Sequence, residues 1–166
     1  KEALLTLGCV PVEQTNFPPS AHRIREMLRE MIRRCDGLVH VAGEVFGAEP
    51  SERDEADARL SYSQMEFEMA RELGKPIYVF ICEPGFPFDS HEPETEEKRR
   101  LQELHRRKLR EGDCHYTPVK NKDDLAVQVH SLQARVEGLS RQLKKSQSRL
   151  GRVVFVGGVL ILAVAA

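Results

Sequence analysis

Short apolar runs alternate with longer amphipathic stretches along most of the chain. Residues 37–42 (GLVHVA) and 77–82 (IYVFIC) are continuous apolar runs of strand length. Such runs predict strands covered on both faces, as in a parallel sheet. Residues 9–13 and 115–119 predict two shorter strands. Residues 1–7 read as the end of a helix stopped at Gly8. After a loop over residues 16–19, Ser20 is placed to cap a helix over 21–35, where Ile24, Met27, Leu28, Met31 and Cys35 recur at helical spacing. Residues 62–73 predict a further helix, stopped by Gly74 and Pro76. Residues 95–110 predict a highly charged, peripheral helix anchored by Leu101, Leu104 and Leu109. Strand–helix alternation of this kind defines an α/β fold with crossover connections between parallel strands.

From Leu125 the period changes. Leu125, Val129, Leu132, Val136, Leu139, Leu143, Ser146 and Leu150 step alternately by four and three residues. That is a heptad seam with one polar position. Its first turns are expected to fold back on the sheet, and the remainder to form a parallel coiled coil. The seam leads into residues 153–166 (VVFVGGVLILAVAA), which carry no charge. A membrane-spanning helix needs about 20 such residues, so this segment is read as the first part of one. Arg141, Lys144, Lys145, Arg149 and Arg152 precede it and put the N-terminal domain on the cytoplasmic side. The expected divisions are an α/β domain over 1–124, a coiled-coil helix over 125–152 and a partial transmembrane helix over 153–166.

Composition narrows the function. The 25 Lys and Arg nearly balance the 26 Asp and Glu, which argues against binding nucleic acid by bulk charge. Four separated cysteines, with no C-x-x-C pair, exclude a zinc ribbon or a dense disulfide framework and fit a reducing compartment. No metal-ligating constellation is recognisable.

The helix over 62–73 carries the most chemistry. Tyr62, Met65, Met69, Ala70 and Leu73 define its apolar face, and Glu66 falls within that face. A carboxylate among core-facing residues is costly unless paired or used. A helix that follows a strand of an open α/β sheet starts at the carboxyl edge, where such sheets bind ligands. Gly43, Phe46 and Gly47 (GEVFG) follow the strand and are candidates to approach a ligand, with Phe46 as a stacking surface; a plain turn is the competing reading. Ser61, Tyr62 and Ser63 either cap the helix or touch a ribose, with capping the stronger expectation. The acidic stretch over 48–61 is either a lid or a solvated insertion. His40 is expected to be a core histidine with a satisfied ring, Cys82 a packing residue, and the basic run over 106–110 a solvated face.

The blocks "IRRCDGLVHVAGEVFG" and "LSYSQMEFEMARELGKPIYVFI", preceded by "LTLGCVPVEQTNFPP", resemble the TIR-like family of uncharacterised bacterial domains, over roughly residues 1–132. The resemblance implies a TIR-like, flavodoxin-like parallel sheet. It also implies a central first strand that would precede Lys1. Enzymatic TIR domains cleave NAD at the nicotinamide–ribose bond with one glutamate, on the helix after the third strand and shortly before a Gly-Lys pair. Glu66 stands in that place, eight residues before Gly74. NAD would then be a substrate, and no cofactor is implied. The chemistry is economical: nicotinamide leaves without acid assistance, and a carboxylate stabilises the oxocarbenium-like transition state. Related deoxyribosyltransferases use a carboxylate at the same edge. The resemblance therefore implies a membrane-anchored TIR-like signalling or defence domain, with NAD glycohydrolysis as its candidate activity, self-associating through its coiled coil. The alternatives are a non-catalytic oligomerisation module and a nucleoside-processing N-glycosidic-bond enzyme.

Overall fold

The computed structural model describes residues 1–12, 21–50, 58–88, 93–138 and 141. Its elements are α1 (Glu2–Thr6), α2 (Ala21–Arg34), β1 (Leu38–Ala42), α3 (Tyr62–Glu72), β2 (Ile77–Cys82), α4 (Glu96–Glu111), β3 (Tyr116–Val119) and α5 (Lys122–His130). The three strands form one parallel sheet in the order β1-β2-β3. Leu38 pairs with Ile77 and Ala42 with Ile81, while Val79 pairs with Tyr116 and Cys82 with Val119.

The alternation along the strands sorts the helices. On one face, Ala42, Val79 and Ile81 pack with Phe67 of α3 and Leu109 of α4. Beneath them, Ile24, Leu28 and Ile32 of α2 interlock with Met65, Met69 and Ala70 of α3. On the opposite face, Phe80, Cys82 and Val119 meet Val129 and Leu132, with Leu4 and Leu7 packed alongside.

Local chemistry fixes the ends. Ser61 caps α3 and completes a capping box with Gln64, so the capping role expected of it is the observed one. Gly74, at φ +63°, ends the same helix in a left-handed conformation that a side chain would strain. Thr95 caps α4, which carries Glu96 and Glu97 in its first turn, where the helix dipole favours anions.

Two expectations change. Residues 9–12 form no strand; Glu13, the end of that expected strand, lies outside the described residues. Pro11 has no N–H to give a ladder, and among the described residues no strand lies beside this segment. Cys9 is buried, but Val10 and Val12 are 46% and 38% exposed. The heptad seam is also interrupted. The helix breaks in a turn at residues 131–132 and resumes over 133–138. Val129 and Leu132 are buried in the domain, with Leu125 and Val136 packed against them. Leu139, Leu143, Ser146, Leu150 and residues 153–166 lie outside the described residues, as do the loop over 16–19 and Ser20. Among the described residues, no helix is long and apolar enough to cross a membrane.

Candidate functional site

Glu66 lies in the N-terminal half of α3, between Met65, which packs on α2, and Phe67, which packs on the sheet. It is neither fully buried nor exposed. Burial pushes its carboxyl up from the ordinary carboxylate range. Among the described residues it makes no hydrogen bond and no ion pair. Its charge is felt at the Cys35 thiol, just ahead of β1, which is raised mainly by its own burial and further by Asp36 and Glu66, against Lys75. A half-buried acid raised by burial, with no salt-bridge partner among the described residues, is a group that chemistry can use.

The other expected site residues have definite surroundings. Tyr62, one turn ahead of Glu66, opens α3, and its N–H donates to the Ala48 carbonyl (3.0 Å). Gly43 closes β1 and is covered by an aromatic ring: a Cβ placed there would stand 2.6 Å from Cε1 of Phe88. Its carbonyl accepts from Nε2 of Gln102 (2.7 Å). Phe46 is 1% exposed, so its ring offers no open stacking surface here; the Lys98 ammonium lies 5.7 Å from the ring centroid. Gly47 turns at φ +84°. The N–H groups of Phe46 and Gly47 donate to the two oxygens of Glu94 (3.0 and 2.8 Å). Thus Gly43, Phe46 and Gly47 form one closed loop at the carboxyl edge, and no hydrogen bond or ion pair ties Glu66 to it.

Arg59 fastens the end of that loop. Its guanidinium donates twice to Glu49 (2.7 and 2.8 Å) and once to Glu97 (2.5 Å). The two bonds from Arg59 to Glu49, with a smaller contribution from Lys98, hold Glu49 down at about 2.

The charged helix α4 supplies groups that sequence reasoning missed. Its inner face is Gln102, His105, Arg106 and Leu109, while Leu104, expected as an anchor, is 45% exposed. Nε2 of His105 meets Nε2 of His40 at 2.9 Å, and both rings pack on Phe67 at centroid distances of 5.5 and 5.0 Å. His40 is thus a core histidine whose partner is another imidazole. Arg106 was expected on a solvated face, yet it is only 8% exposed. Its Nη2 donates to the Cys82 carbonyl (2.7 Å), and its Nε has no partner among the described residues. The spacing i, i+3, i+4, i+7 was the available signal; polarity concealed it. Cys82 is 1% exposed and packs in the core.

A cleft of about 680 Å3 lies at the other edge of the sheet, lined by Lys75, Ile77, Cys114, His115, Tyr116 and Arg135. It includes none of the expected site residues. Among the described residues no three His, Cys, Asp or Glu side chains gather as a metal ion would need.

Parallel strands joined through helices, with helices on both faces, define the chain as an α/β domain with a mostly closed carboxyl edge. Residues 1–132 match the family described as "Domain of unknown function (DUF4062)", and the chain belongs to that family. No curated protein and no solved structure matches it.

Proposed function

We propose that this chain is a TIR-like signalling or defence domain that cleaves NAD at the nicotinamide–ribose bond with Glu66. In this reading residues 153–166 anchor it to a membrane, with the domain on the cytoplasmic side. The parallel strands support the fold assignment, as does the division of α2, α3 and α4 from α1 and α5 across the sheet. The observation that carries the activity is Glu66 itself, a half-buried carboxyl on the helix after β1 with no ion-pair partner among the described residues. Its negative charge would stabilise the ribosyl cation that forms as the C1′–N bond breaks; water then adds at C1′ and releases a proton. The test is NAD turnover by the full chain beside Glu66→Gln. Nicotinamide release that vanishes in the variant supports the assignment, and equal release by both proteins refutes it. Release of a free base from nucleosides, with NAD untouched, would move the chain to the nucleoside-processing reading.

A specific observation favours the non-catalytic alternative. Phe46 is buried, Gly43 lies under Phe88, and the amides of Phe46 and Gly47 are taken by Glu94. An edge closed in this way suits an oligomerisation module that relays a signal without turnover. No NAD or nucleoside consumption by an assembled full chain would establish that reading.

A further inference from the structure

The loop after β1 holds a carboxylate as it would hold a ligand. Two successive backbone N–H groups, from Phe46 and Gly47, converge on the two oxygens of Glu94 at 3.0 and 2.8 Å. Consecutive amides aimed at one point make an anion-binding concavity. Gly47 reaches that geometry at φ +84°, which a Cβ would strain. A cation stands beside it: Nζ of Lys98 is 3.4 Å from the Gly47 carbonyl and 3.3 Å from Glu49.

A second observation concerns the other end of the same loop. Arg106 is 8% exposed, its Nε has no hydrogen-bond partner among the described residues, and the Glu44 carboxylate lies 3.9 Å from Nη1. That carboxylate is itself 54% exposed, and a buried guanidinium so loosely matched is costly. The loop over 43–47 therefore lies between two cations of α4, and its amides are occupied by an anion that the chain itself supplies.

We propose that the amides of Phe46 and Gly47, with Lys98, form a binding site for a phosphate group, and that Glu94 is its resident stand-in. Glu94 precedes the capping residue Thr95, so a small movement at the start of α4 exchanges it for a ligand oxyanion. The site competes internally: affinity for an external anion is reduced by the fraction of time Glu94 is in place. This inference is independent of the role of Glu66, because it is read by binding and not by turnover.

The probe is inorganic phosphate titrated into the 15N-labelled full chain, followed at the Phe46 and Gly47 amides, with ADP as a parallel arm. Both amides are expected to shift. Glu94→Gln, which removes the competing charge, should tighten the apparent affinity about tenfold or more. Lys98→Met should reverse much of that gain. Tighter response to ADP than to phosphate would identify the source as a nucleotide; equal response would identify a free ion. If the two amides move with neither probe in the wild type or in Glu94→Gln, the proposal is overturned, and Glu94 only fastens α4 to the loop. Should Glu94→Gln not fold, the wild-type titration carried to high phosphate gives the same decision.

Discussion

Acid should unfold this domain through two histidines. His40 and His105 are 4% and 8% exposed, with their Nε2 atoms 2.9 Å apart. Burial, and then the neighbouring His105, pushes His40 down to about 3. Burial pushes His105 down to about 4, with Lys108 adding to the shift and Glu68 opposing it. With both rings neutral, one Nε2–H donates to the other Nε2. A second proton would set two N–H groups against each other. In the unfolded chain both rings titrate near the ordinary histidine value of about 6.5. The unfolded state therefore binds more protons between the two limits, so stability is full above about pH 6.5 and falls as the pH drops towards the folded values. The linkage is worth about 2 kcal/mol for each histidine between pH 8 and pH 5, or about 4 kcal/mol for the pair. Against the 5–15 kcal/mol of a typical domain that is a large share.

The assay is urea unfolding of the full chain across that range, beside His105→Gln. The variant keeps a donor for His40 and removes one titrating group, so its loss of stability should be about half that of the wild type. Glu49 does not confuse the reading, because a carboxyl held at about 2 contributes stability that is lost only below its ordinary value. Glu66 works in the opposite direction but is common to both proteins. A wild type whose stability is flat from pH 8 to pH 5, or a variant with an unchanged slope, would show that the rings take up protons freely and that the buried pair is not as described.

Glu66→Gln should leave thermal stability at neutral pH equal or slightly improved, because an acid raised by burial is destabilised in its ionised form. That advantage should fade as the pH falls to the ordinary carboxylate range, and a large loss of melting temperature at pH 7 would instead mean that the carboxylate has a structural partner. Gly43→Ala brings a Cβ to 2.6 Å from Cε1 of Phe88 and should cost about 1–3 kcal/mol in chemical denaturation. Phe88→Leu in the same chain should recover much of it, and no recovery would place the strain elsewhere.

The sequence was legible where burial and polarity agree. Residues 77–82 are apolar throughout because β2 is the middle strand, covered by α3 and α4 on one side and by α5 on the other, and its bounds were readable to the residue. The helix over 62–73 was readable because the Ser61 cap and the Gly74 stop act locally. Legibility failed where a helix buries polar groups. In α4, Gln102 lies between the amide nitrogen of Gln64 (2.9 Å) and the carbonyl of Gly43 (2.7 Å). Neither partner is near it in sequence, so only tertiary contact makes its burial favourable. Closure of the GEVFG loop was hidden for the same reason: Glu94, which takes its amides, is 47 residues beyond Gly47.

The heptad seam shows how one pattern can serve two contacts, and it defines the last prediction. Steps of four and three place side chains on one face of a helix, whatever covers that face. In this domain the covering surface for Val129 and Leu132 is intramolecular, formed by Phe80, Cys82 and Val119. The helix also breaks just there, with the Ser131 hydroxyl donating to the Gln128 carbonyl at 2.6 Å. Leu132→Lys would therefore bury a charge inside the domain and lower its own stability by about 3 kcal/mol or more, whether or not the chain self-associates. The positions that isolate association are Leu139 and Leu143. Sedimentation of the full chain in detergent should show a dimer that the pair Leu139→Lys and Leu143→Lys dissociates, with the melting temperature of the domain unchanged. A monomer in both proteins would refute the coiled coil. A dimer that survives the pair but dissociates with Leu132→Lys would show that assembly depends on the integrity of the α/β domain, because Leu132 is buried against Phe80, Cys82 and Val119.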